Sequence, residues 1–456
     1  MTRMNLAGWG RTAFSVAETT VPTSEDDVRR VAVSPGARGA VARGLGRSYG
    51  AAAQNAGGSV LLMPDTPVGR PFRLDPSSGT VVAPAGMSLD EILRRVVPEG
   101  WFVPVTPGTR FVTVGGAIAA DVHGKNHHVD GSFGAHVCSM RVLLSSGEVV
   151  TLGPTERPEW FWATVGGMGL TGVILDAEFT LLPIGSSRVR VETERLADFD
   201  AVVAAMSPGS DDGYRYSVAW VDLLATGRST GRGVLTRGDH ADASDVGKGD
   251  PLEYDPKVMV AAPSWVPNGL LNKASIRVFN EAWFRKAPSR RHVGLESIPA
   301  FFHILDGVRR WNHLYGSAGF IQYQLIVPLS EVDVLRKVIE TFASRGVASF
   351  LAVLKRMGAQ NPAPMSFPTE GWTLTLDMGT RIRGLAGLLA AVDTMVLDAG
   401  GRHYLAKDSH VAPSAVRRGY PRFAEWQATQ HEMDPAGSWN SDLARRLGLI
   451  EARTSH

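Results

Sequence analysis

The sequence predicts an α+β fold divided into two domains, and three observations carry this prediction. Residues 319–399 read as a strand, a helix, two strands and a second helix, which is the order of an α+β sandwich. Residues 59–105 alternate short strands with one amphipathic helix, and residues 137–151 have the pattern of a hairpin. The composition changes near residues 184–187, so we place the start of the second domain there.

The composition indicates a globular protein without a polyelectrolyte partner. Among 456 residues, 47 basic side chains nearly balance 45 acidic ones and leave a formal net charge of +2. Nucleic-acid-binding domains carry a concentrated basic excess, so we expect no nucleic-acid partner. The N-terminus lacks the continuous apolar segment of a signal peptide, and no stretch reaches the roughly 18 apolar residues that span a bilayer. We therefore expect a soluble or peripheral protein.

Metal binding is not indicated. One cysteine, Cys138, excludes an intramolecular disulfide and most cysteine-based metal sites, and its apolar surroundings predict a buried side chain. His123 and His127 are four residues apart, with His128 adjacent, but the glycine and lysine between the first two break the helix that would align them. No acidic cluster accompanies these histidines, so we expect no metal.

The N-terminal elements begin with a helix and a strand. Over residues 21–42, Ser24 or Asp26 can cap a helix whose Val28 and Val31 face inward, and a short strand follows the next Pro-Gly pair. A second helix is predicted further on, at residues 88–97, where leucine, isoleucine and valine recur at helical spacing.

The stretch RGLGRSYG, residues 43–50, follows the first predicted strand. Its glycines predict a turn whose backbone amides converge on an anion, with Arg43 and Arg47 adding positive charge. The dinucleotide fingerprint G-x-G-x-x-G would need glycine where Tyr49 stands. The same residues contain G-x-S-x-G, the string of a serine-hydrolase elbow, but that elbow needs a strand-turn-helix context. The arginines fit phosphate binding better.

The stretch from Pro107 to Gly134 is the centre of the predicted site. Its glycines permit close approach of a large planar ligand to the backbone, and residues 117–120 are small enough for a short helix to lie against a ring system. The alternative is a glycine-rich surface loop. Residues 167–172, GMGLTG, match G-x-G-x-x-G literally, but a strand pattern follows where a dinucleotide site needs a helix.

The second domain places polar side chains on otherwise apolar strands. In GFIQYQLIV, Gln322 and Gln324 share one face and Tyr323 takes the other, which is compatible with a ligand-lined cavity or with a structural hydrogen-bonded pair. Lys355 either lines the same cavity or reaches the surface, and Lys407 is equally ambiguous. The polar tract at residues 236–250 predicts a mobile loop.

These motifs together resemble the decaprenylphosphoryl-β-D-ribose 2′-oxidases, a family of flavoenzymes with the vanillyl-alcohol oxidase fold. The resemblance covers nearly the whole chain. It rests on RGLGRSYG, PGTRFVTVGGAIAADVHGKNHH, WATVGGMGLTG, WNHLYGSAGFIQYQ, SFP followed by GW, and YLAKDS. It implies an FAD-binding domain formed by residues 1–184 and completed by residues 402–456, with an antiparallel-sheet substrate domain at residues 185–401.

The resemblance implies FAD as the cofactor, held noncovalently because the loop offers Tyr49 where many members of the wider fold attach the flavin covalently. The residues that it assigns to FAD are Ala42, Arg43, Gly44, Leu45, Gly46, Arg47, Ser48, Tyr49, Gly50, Ala51, Ala52, Gly108, Thr113, Val114, Gly115, Gly116, Ala120, Asp121, Val122, His123, Ile174 and Tyr404.

The implied reaction is oxidation of a ribose 2′-hydroxyl on a polyprenyl phosphate to a ketone, and Lys407 is the candidate base. A partner NAD-dependent reductase would then complete epimerisation to the arabinose donor for the cell wall, at the periplasmic face of the inner membrane with peripheral membrane contact. The catalytic set would be Lys407, Gln324, His123 and Lys355. The substrate-binding set would be Lys125, Gln322, Gln324, Lys355, Thr373, Thr375, Trp220 and His313.

This chain departs from the family pattern at three of those positions. Thr373 and Thr375 stand where relatives commonly carry Asn and Cys, and His313 stands where an arginine is common. A thiol-dependent reaction at position 375 would be lost. The alternative function is a same-fold FAD oxidase of a free sugar, polyol or aldonolactone, and a noncatalytic flavin-binding partner would require inactive catalytic positions.

Overall fold

The computed structural model describes residues 2–257, 260–263 and 265–450, and over these residues it contains 21 strands and 13 α-helices. The strands are β1 Thr2–Ala7, β2 Phe14–Thr20, β3 Ala40–Arg43, β4 Ser59–Leu62, β5 Arg73–Asp75, β6 Thr80–Pro84, β7 Trp101–Phe102, β8 Val137–Leu143, β9 Val149–Leu152, β10 Val173–Thr180, β11 Leu182–Pro183, β12 Arg188–Leu196, β13 Tyr216–Val221, β14 Gly233–His240, β15 Val260–Ala261, β16 His292–Ser297, β17 Val308–Arg309, β18 Phe320–Val327, β19 Ala352–Met357, β20 Gly371–Gly379 and β21 Arg402–His403. The helices are α1 Glu25–Val33, α2 Leu89–Val96, α3 Val114–Ala119, α4 His127–Asp130, α5 Pro158–Thr164, α6 Phe199–Met206, α7 Lys273–Lys286, α8 Ile298–Phe302, α9 Val332–Ser344, α10 Leu385–Asp398, α11 Pro413–Gly419, α12 Phe423–Met433 and α13 Asp442–Leu447.

The N-terminal part is built on two sheets, with strand orders β1-β2-β4-β3 and β5-β6-β10-β8-β9. Helix α1 begins where expected because the Ser24 hydroxyl accepts from the N–H of Asp27, and Val28 and Val31 are buried beneath it. Helix α2 has a complete capping box between Ser88 and Glu91. The predicted hairpin is confirmed as the antiparallel pair β8 and β9.

The second part is an eight-stranded sheet of order β16-β12-β14-β13-β19-β20-β18-β21, and all of its pairings are antiparallel. Helices α9 and α10 contribute Val338 and Val392 to a buried apolar cluster on one face. Strand β21, at residues 402–403, joins this sheet beside β18, although the sequence assigned that segment to the other domain. The strand-and-helix order confirms the predicted α+β class, while the domain boundaries stay a prediction.

Two sequence expectations are wrong. Cys138 is exposed because it points away from the core on β8, between the buried Val137 and Met140. The polar tract at residues 236–250 is not wholly a loop, because its first five residues belong to β14, which pairs with β12 and β13. Backbone pairing on both sides thus outweighs the polar composition of this strand. None of the helices in the described part of the chain has the length and apolar character needed to cross a membrane.

Candidate active site

A cavity of about 490 Å³ is lined by the glycine-rich segments of the N-terminal part and by one face of the eight-stranded sheet. The predicted residues that line it are Ala42, Gly44, Leu45, Gly46, Arg47, Ser48, Tyr49, Ala52, Gly108, Thr113, Gly115, Gly116, Ala120, Val122, His123, Lys125, Ile174, Trp220, Gln322, Gln324, Lys355, Thr375, Tyr404 and Lys407. The structure therefore brings together predicted residues that are up to 365 positions apart in the sequence, from residue 42 to residue 407.

The loop at residues 42–52 is held by its own backbone and by Arg43. The Arg43 guanidinium donates to the carbonyls of Ala7 at 2.7 Å and Ala53 at 2.9 Å, so it braces the loop and does not line the cavity. Gly50 packs against the Asp408 carbonyl so closely that an added Cβ would lie 1.8 Å from that oxygen. Ala51 also lies outside the lining, where its carbonyl accepts from the N–H of Gln54.

The wall at residues 113–123 has one buried side and one side on the cavity. Thr113 caps helix α3 by accepting from the N–H of Gly116 at 3.2 Å, and Val114 points into the core. Asp121 is also buried, and its carboxylate accepts from Ser132, from the N–H of Gly134 and from two further side chains. Val114 and Asp121 therefore support this wall without lining the cavity.

The residues around this part of the cavity fit FAD. An added Cβ at Gly108 would meet no protein atom within 4 Å, and the same holds at Gly169, so both backbones open onto space that a planar ligand can occupy. The Arg47 guanidinium lies 3.9 Å from the Trp9 ring centroid, and its buried Nε has no partner. A half-buried guanidinium whose Nε has no partner, beside a glycine turn, matches the pyrophosphate of FAD in charge and hydrogen-bonding capacity.

Tyr404 joins the flavin wall, by which we mean the cavity-lining segments at residues 42–52 and 108–123, to the eight-stranded sheet. Its hydroxyl donates to the Ala120 carbonyl at 2.7 Å, and its ring lies 5.4 Å from His123 and 4.8 Å from Phe367 between centroids. The backbone N–H of Tyr404 donates to the backbone carbonyl of Gln324 at 3.1 Å. Tyr404 thus ties the C-terminal segment to both sides of the cavity, with Ile174 lining the same cavity.

Three half-buried lysines face the cavity. Burial lowers the pKa of Lys407 to about 8, although Asp377 opposes the shift, and its Nζ lies 4.3 Å from the Tyr49 ring centroid. Burial, followed by the charges of Lys407 and Lys125, lowers the pKa of Lys355 to about 7. Lys125 has a pKa of about 8 for the same primary reason, and its Nζ donates to the Phe301 carbonyl at 2.6 Å. Such groups can exchange protons near neutral pH.

His123 connects two of the predicted substrate residues. Its Nδ1 lies 2.9 Å from Lys355 Nζ, and its Nε2 lies 2.9 Å from the side-chain amide of Gln324. The Gln324 amide also contacts the Thr373 hydroxyl at 3.2 Å. Thr373 is fully buried and lies outside the cavity lining, whereas Thr375 lines the cavity on the same strand, so only the second threonine is available to a ligand.

Asp377 does not line the cavity but holds Gln322, which does, and the sequence analysis missed it. It is fully buried opposite Gln322 in the register of β18 and β20, and the Gln322 amide donates to it at 2.6 Å. Burial raises the pKa of Asp377 to about 7, against the lowering effects of Gln322 and Lys407. The available signal was its alternation with Thr373 and Thr375 along one apolar strand.

Besides Thr373, a second predicted substrate residue lies outside the cavity lining. His313 lies in the short helical turn Trp311–Tyr315 and does not line the cavity. Burial, with Arg11 and Arg310 nearby, lowers the pKa of His313. The turn directs Trp311 to the cavity instead. In the described ranges, no group of three or more His, Cys, Asp or Glu side chains is arranged to hold a metal ion.

Comparisons with known proteins agree with this geometry. Residues 17–153 match the family model of an FAD binding domain, so the cofactor is FAD. The chain is 42% identical over 457 aligned residues to decaprenylphosphoryl-beta-D-ribose oxidase of Mycolicibacterium smegmatis, covering 98% of each chain. It is 37% identical over 376 residues to a Streptomyces coelicolor protein described as "Uncharacterized protein in mprA 5'region", covering 80% of this chain and all of that one.

A more distant relative matches a smaller part of the chain. A D-lactate dehydrogenase of Anaerostipes hadrus is 27% identical over 154 residues, which is 32% of each chain. The similarity to the M. smegmatis enzyme, in contrast, extends over both the flavin wall and the lysine-bearing sheet. The chain is an FAD-dependent oxidoreductase, and it belongs to the decaprenylphosphoryl-β-D-ribose oxidase family.

Proposed function

We propose that the protein oxidises the 2′-hydroxyl of decaprenylphosphoryl-β-D-ribose to a ketone, with FAD as the oxidant. The observation that carries the proposal is the position of Lys407, a half-buried amine with a lowered pKa that lines the same cavity as the flavin wall. The membership of the protein in the decaprenylphosphoryl-β-D-ribose oxidase family supports the same class of sugar substrate. FAD, when bound, supplies the acceptor for the hydride that leaves the sugar carbon.

Lys407 is the proposed base. Its pKa of about 8 gives a substantial neutral fraction near pH 7.5, and a neutral amine has the lone pair that accepts the hydroxyl proton. Loss of that proton from oxygen and of a hydride from the adjoining carbon together form the ketone. Asp377 contributes by raising the pKa of Lys407 and so favours the protonated form that follows the transfer.

The remaining polar residues orient the substrate. Lys355 and Lys125 are the cations available to a phosphate, while the Gln322 and Gln324 amides reach the cavity from β18. Trp220 on β13 and Thr375 on β20 line the same cavity and would bound the sugar. Arg47, Ser48 and the adjoining glycines would hold the FAD pyrophosphate, and Gly108, Gly115 and Gly116 would contact the ring system.

The lipid tail is proposed to leave the cavity along an apolar rim that contacts a membrane. Leu45 and Ile304 line the cavity and are 49% and 56% exposed. Helix α7 contributes the cavity residue Trp283 and the exposed Val278 and Phe279. The double variant Val278→Ser, Phe279→Ser should bind less to lipid vesicles in a sedimentation assay. The control variant Val16→Ser, which changes an exposed apolar residue of β2, should bind vesicles as the unchanged protein does.

A second protein is proposed to consume the product. A 2′-ketone reaches the arabinose configuration only by reduction from the opposite face, so we propose an NAD-dependent reductase as the partner. The periplasmic face of the inner membrane is the proposed location of both proteins. A coupled assay would show NADH oxidation only when ribose substrate, this protein and the reductase are all present.

The test of the proposed function is an anaerobic absorption spectrum of the FAD-loaded protein. Addition of decaprenylphosphoryl ribose should bleach the oxidised flavin bands, and the 2′-keto sugar should appear in equal amount by mass spectrometry. A spectrum that stays oxidised would overturn this substrate assignment. Bleaching instead by a free sugar, polyol or aldonolactone would establish the alternative function.

A further inference from the structure

His123 has one partner at each ring nitrogen, and the two partners come from different strands. Lys355 on β19 lies 2.9 Å from Nδ1, and Gln324 on β18 lies 2.9 Å from Nε2. Beyond them the chain of contacts ends on backbone: Lys355 Nζ donates to the Gly124 carbonyl at 3.2 Å, and the Thr373 hydroxyl donates to the Leu325 carbonyl at 2.8 Å. The ring is buried, so water does not substitute freely for either partner.

The His123 ring is neutral, and this couples its two contacts. Burial, followed by the charge of Lys355, holds the pKa of His123 well below its usual range, with His127 and Lys407 acting in the same direction. A neutral imidazole has one N–H and one bare nitrogen. If Nδ1 accepts a hydrogen bond, Nε2 must donate one, and the reverse is equally required.

The charge of Lys355 decides which arrangement exists. An ammonium group has only protons to give, so Nδ1 accepts and the ring proton lies on Nε2. The Gln324 amide must then turn its carbonyl oxygen toward His123, which leaves its NH₂ group facing the cavity.

A neutral Lys355 permits the opposite arrangement, and the Thr373 hydroxyl favours it, because that hydroxyl donates to the Leu325 carbonyl and so accepts from the Gln324 NH₂ group. The lone pair of Lys355 accepts from Nδ1–H, so Nε2 is bare and accepts from the Gln324 NH₂ group. The second N–H of that group then donates to the Thr373 hydroxyl, at the observed 3.2 Å. The carbonyl oxygen of Gln324 faces the cavity in this state.

We propose that His123 is a positioning residue that couples the charge of Lys355 to the orientation of the Gln324 amide. An anionic group bound at Lys355 thereby makes Gln324 present N–H groups, rather than its carbonyl oxygen, to the sugar. The identity of the anion as a phosphate rests on the proposed function. When a sugar without the phosphate binds, Lys355 is neutral in a larger fraction of molecules. The Gln324 side chain then more often presents its carbonyl oxygen, rather than its N–H groups, to the sugar.

Both the charged and the neutral form of Lys355 are populated near neutral pH. Lys355 has a pKa of about 7, set first by its burial and then by Lys407 and Lys125, which are the cations that face it from the C-terminal segment and from the glycine-rich wall. The bare and protonated ring nitrogens of histidine resonate in separate regions of the ¹⁵N spectrum. The proton position in His123 can therefore be read directly, without turnover.

The experiment is a pH titration, between about pH 6 and pH 9, of FAD-loaded protein labelled with ¹⁵N-histidine. The His123 signals are identified by their absence from His123→Gln. We expect the single ring proton to lie on Nδ1 at high pH and to move to Nε2 as the pH falls through the pKa of Lys355. A proton that stays on one nitrogen, or a ring that becomes doubly protonated, would overturn the proposal.

Two variants separate this coupling from a merely structural role. Lys355→Met keeps a long side chain but has no titrating group, so the proton position should no longer change with pH. Gln324→Glu offers Nε2 only an acceptor, so the proton should stay on Nε2 throughout. A pH-dependent move that persists in Lys355→Met would assign the switch to another group and overturn the proposal. Because no substrate is used, these outcomes are independent of whether decaprenylphosphoryl ribose bleaches the flavin.

Discussion

The flavin wall and the lysine-bearing sheet face the same cavity but are built in different ways. The wall consists of short contiguous segments in which some glycines leave no room for a side chain, as at Gly44, where an added Cβ would lie 2.3 Å from Thr113 Oγ1, and others open onto the cavity, as at Gly108. The sheet face is assembled from single side chains on β18, β19 and β20, with Lys407 brought in from the C-terminal segment. Cofactor binding here therefore depends on the shape of the backbone, whereas sugar oxidation depends on a few titratable side chains whose pKa values are shifted by burial.

The largest expected effect comes from removing the proposed base. Lys407→Ala should retain bound FAD but slow flavin reduction by decaprenylphosphoryl ribose by roughly 10²–10⁴-fold, because no amine then accepts the hydroxyl proton. Stopped-flow absorption under anaerobic conditions measures this rate, and the flavin content of the purified variant is the control. Unchanged reduction kinetics would remove Lys407 from the mechanism.

The wall should respond through folding or through cofactor affinity, depending on the glycine. Gly50→Ala places a Cβ against the Asp408 carbonyl, so we expect it to reduce the free energy of unfolding by about 3 kcal/mol and to lower the flavin content. Gly108→Ala, whose Cβ meets no protein atom within 4 Å, should leave the stability of flavin-stripped protein unchanged and weaken FAD binding by about tenfold. Denaturant unfolding and FAD titration measure the two effects, and equal destabilisation by both would contradict this distinction.

A smaller change is expected in the pH dependence. Flavin reduction should accelerate as the pH rises through the pKa of Lys407, about 8, because the neutral amine is the base. Asp377→Asn removes a negative charge that favours the ammonium form, so the midpoint should move to lower pH. The same stopped-flow measurement across pH tests this, and a midpoint that moves to higher pH would show that Asp377 does not act on Lys407 as a charge.

The smallest effect on turnover, with a clear chemical readout, concerns the two threonines of β20. Thr375→Cys should react with an electrophile directed to the flavin site, because position 375 lines the cavity. Thr373→Cys is the matched control, since that position is fully buried outside the lining. Intact-protein mass spectrometry in a Cys138→Ser background distinguishes them, because the exposed Cys138 would otherwise react. Adduct formation at both positions, or at neither, would contradict this placement.

The sequence predicted the wall better than the sheet face, for physical reasons. RGLGRSYG and the stretch after Pro107 are contiguous, and their glycine content is itself the structural signal. Gln322 and Gln324 were identified because strand alternation is local. Asp377 was missed because its significance depends on the cross-strand register that places it opposite Gln322. His313 lies outside the cavity lining because a short helical turn, which the sequence analysis did not predict, presents Trp311 to the cavity instead.

The position of strand β21 beside β18 has a consequence for how the enzyme can open. The Tyr404 N–H is bonded to the Gln324 carbonyl, and Lys407 follows three residues later in a turn whose N–H donates back to the Tyr404 carbonyl. The backbone that carries the proposed base is therefore hydrogen-bonded to the backbone that carries the Gln324 side chain. The loop at residues 42–52 is tied to the same segment, because the Tyr49 N–H donates to the Ala406 carbonyl at 3.0 Å. A motion that admits or releases a lipid-linked sugar must therefore occur elsewhere in the cavity wall, while the base, the amide and this loop keep their spacing.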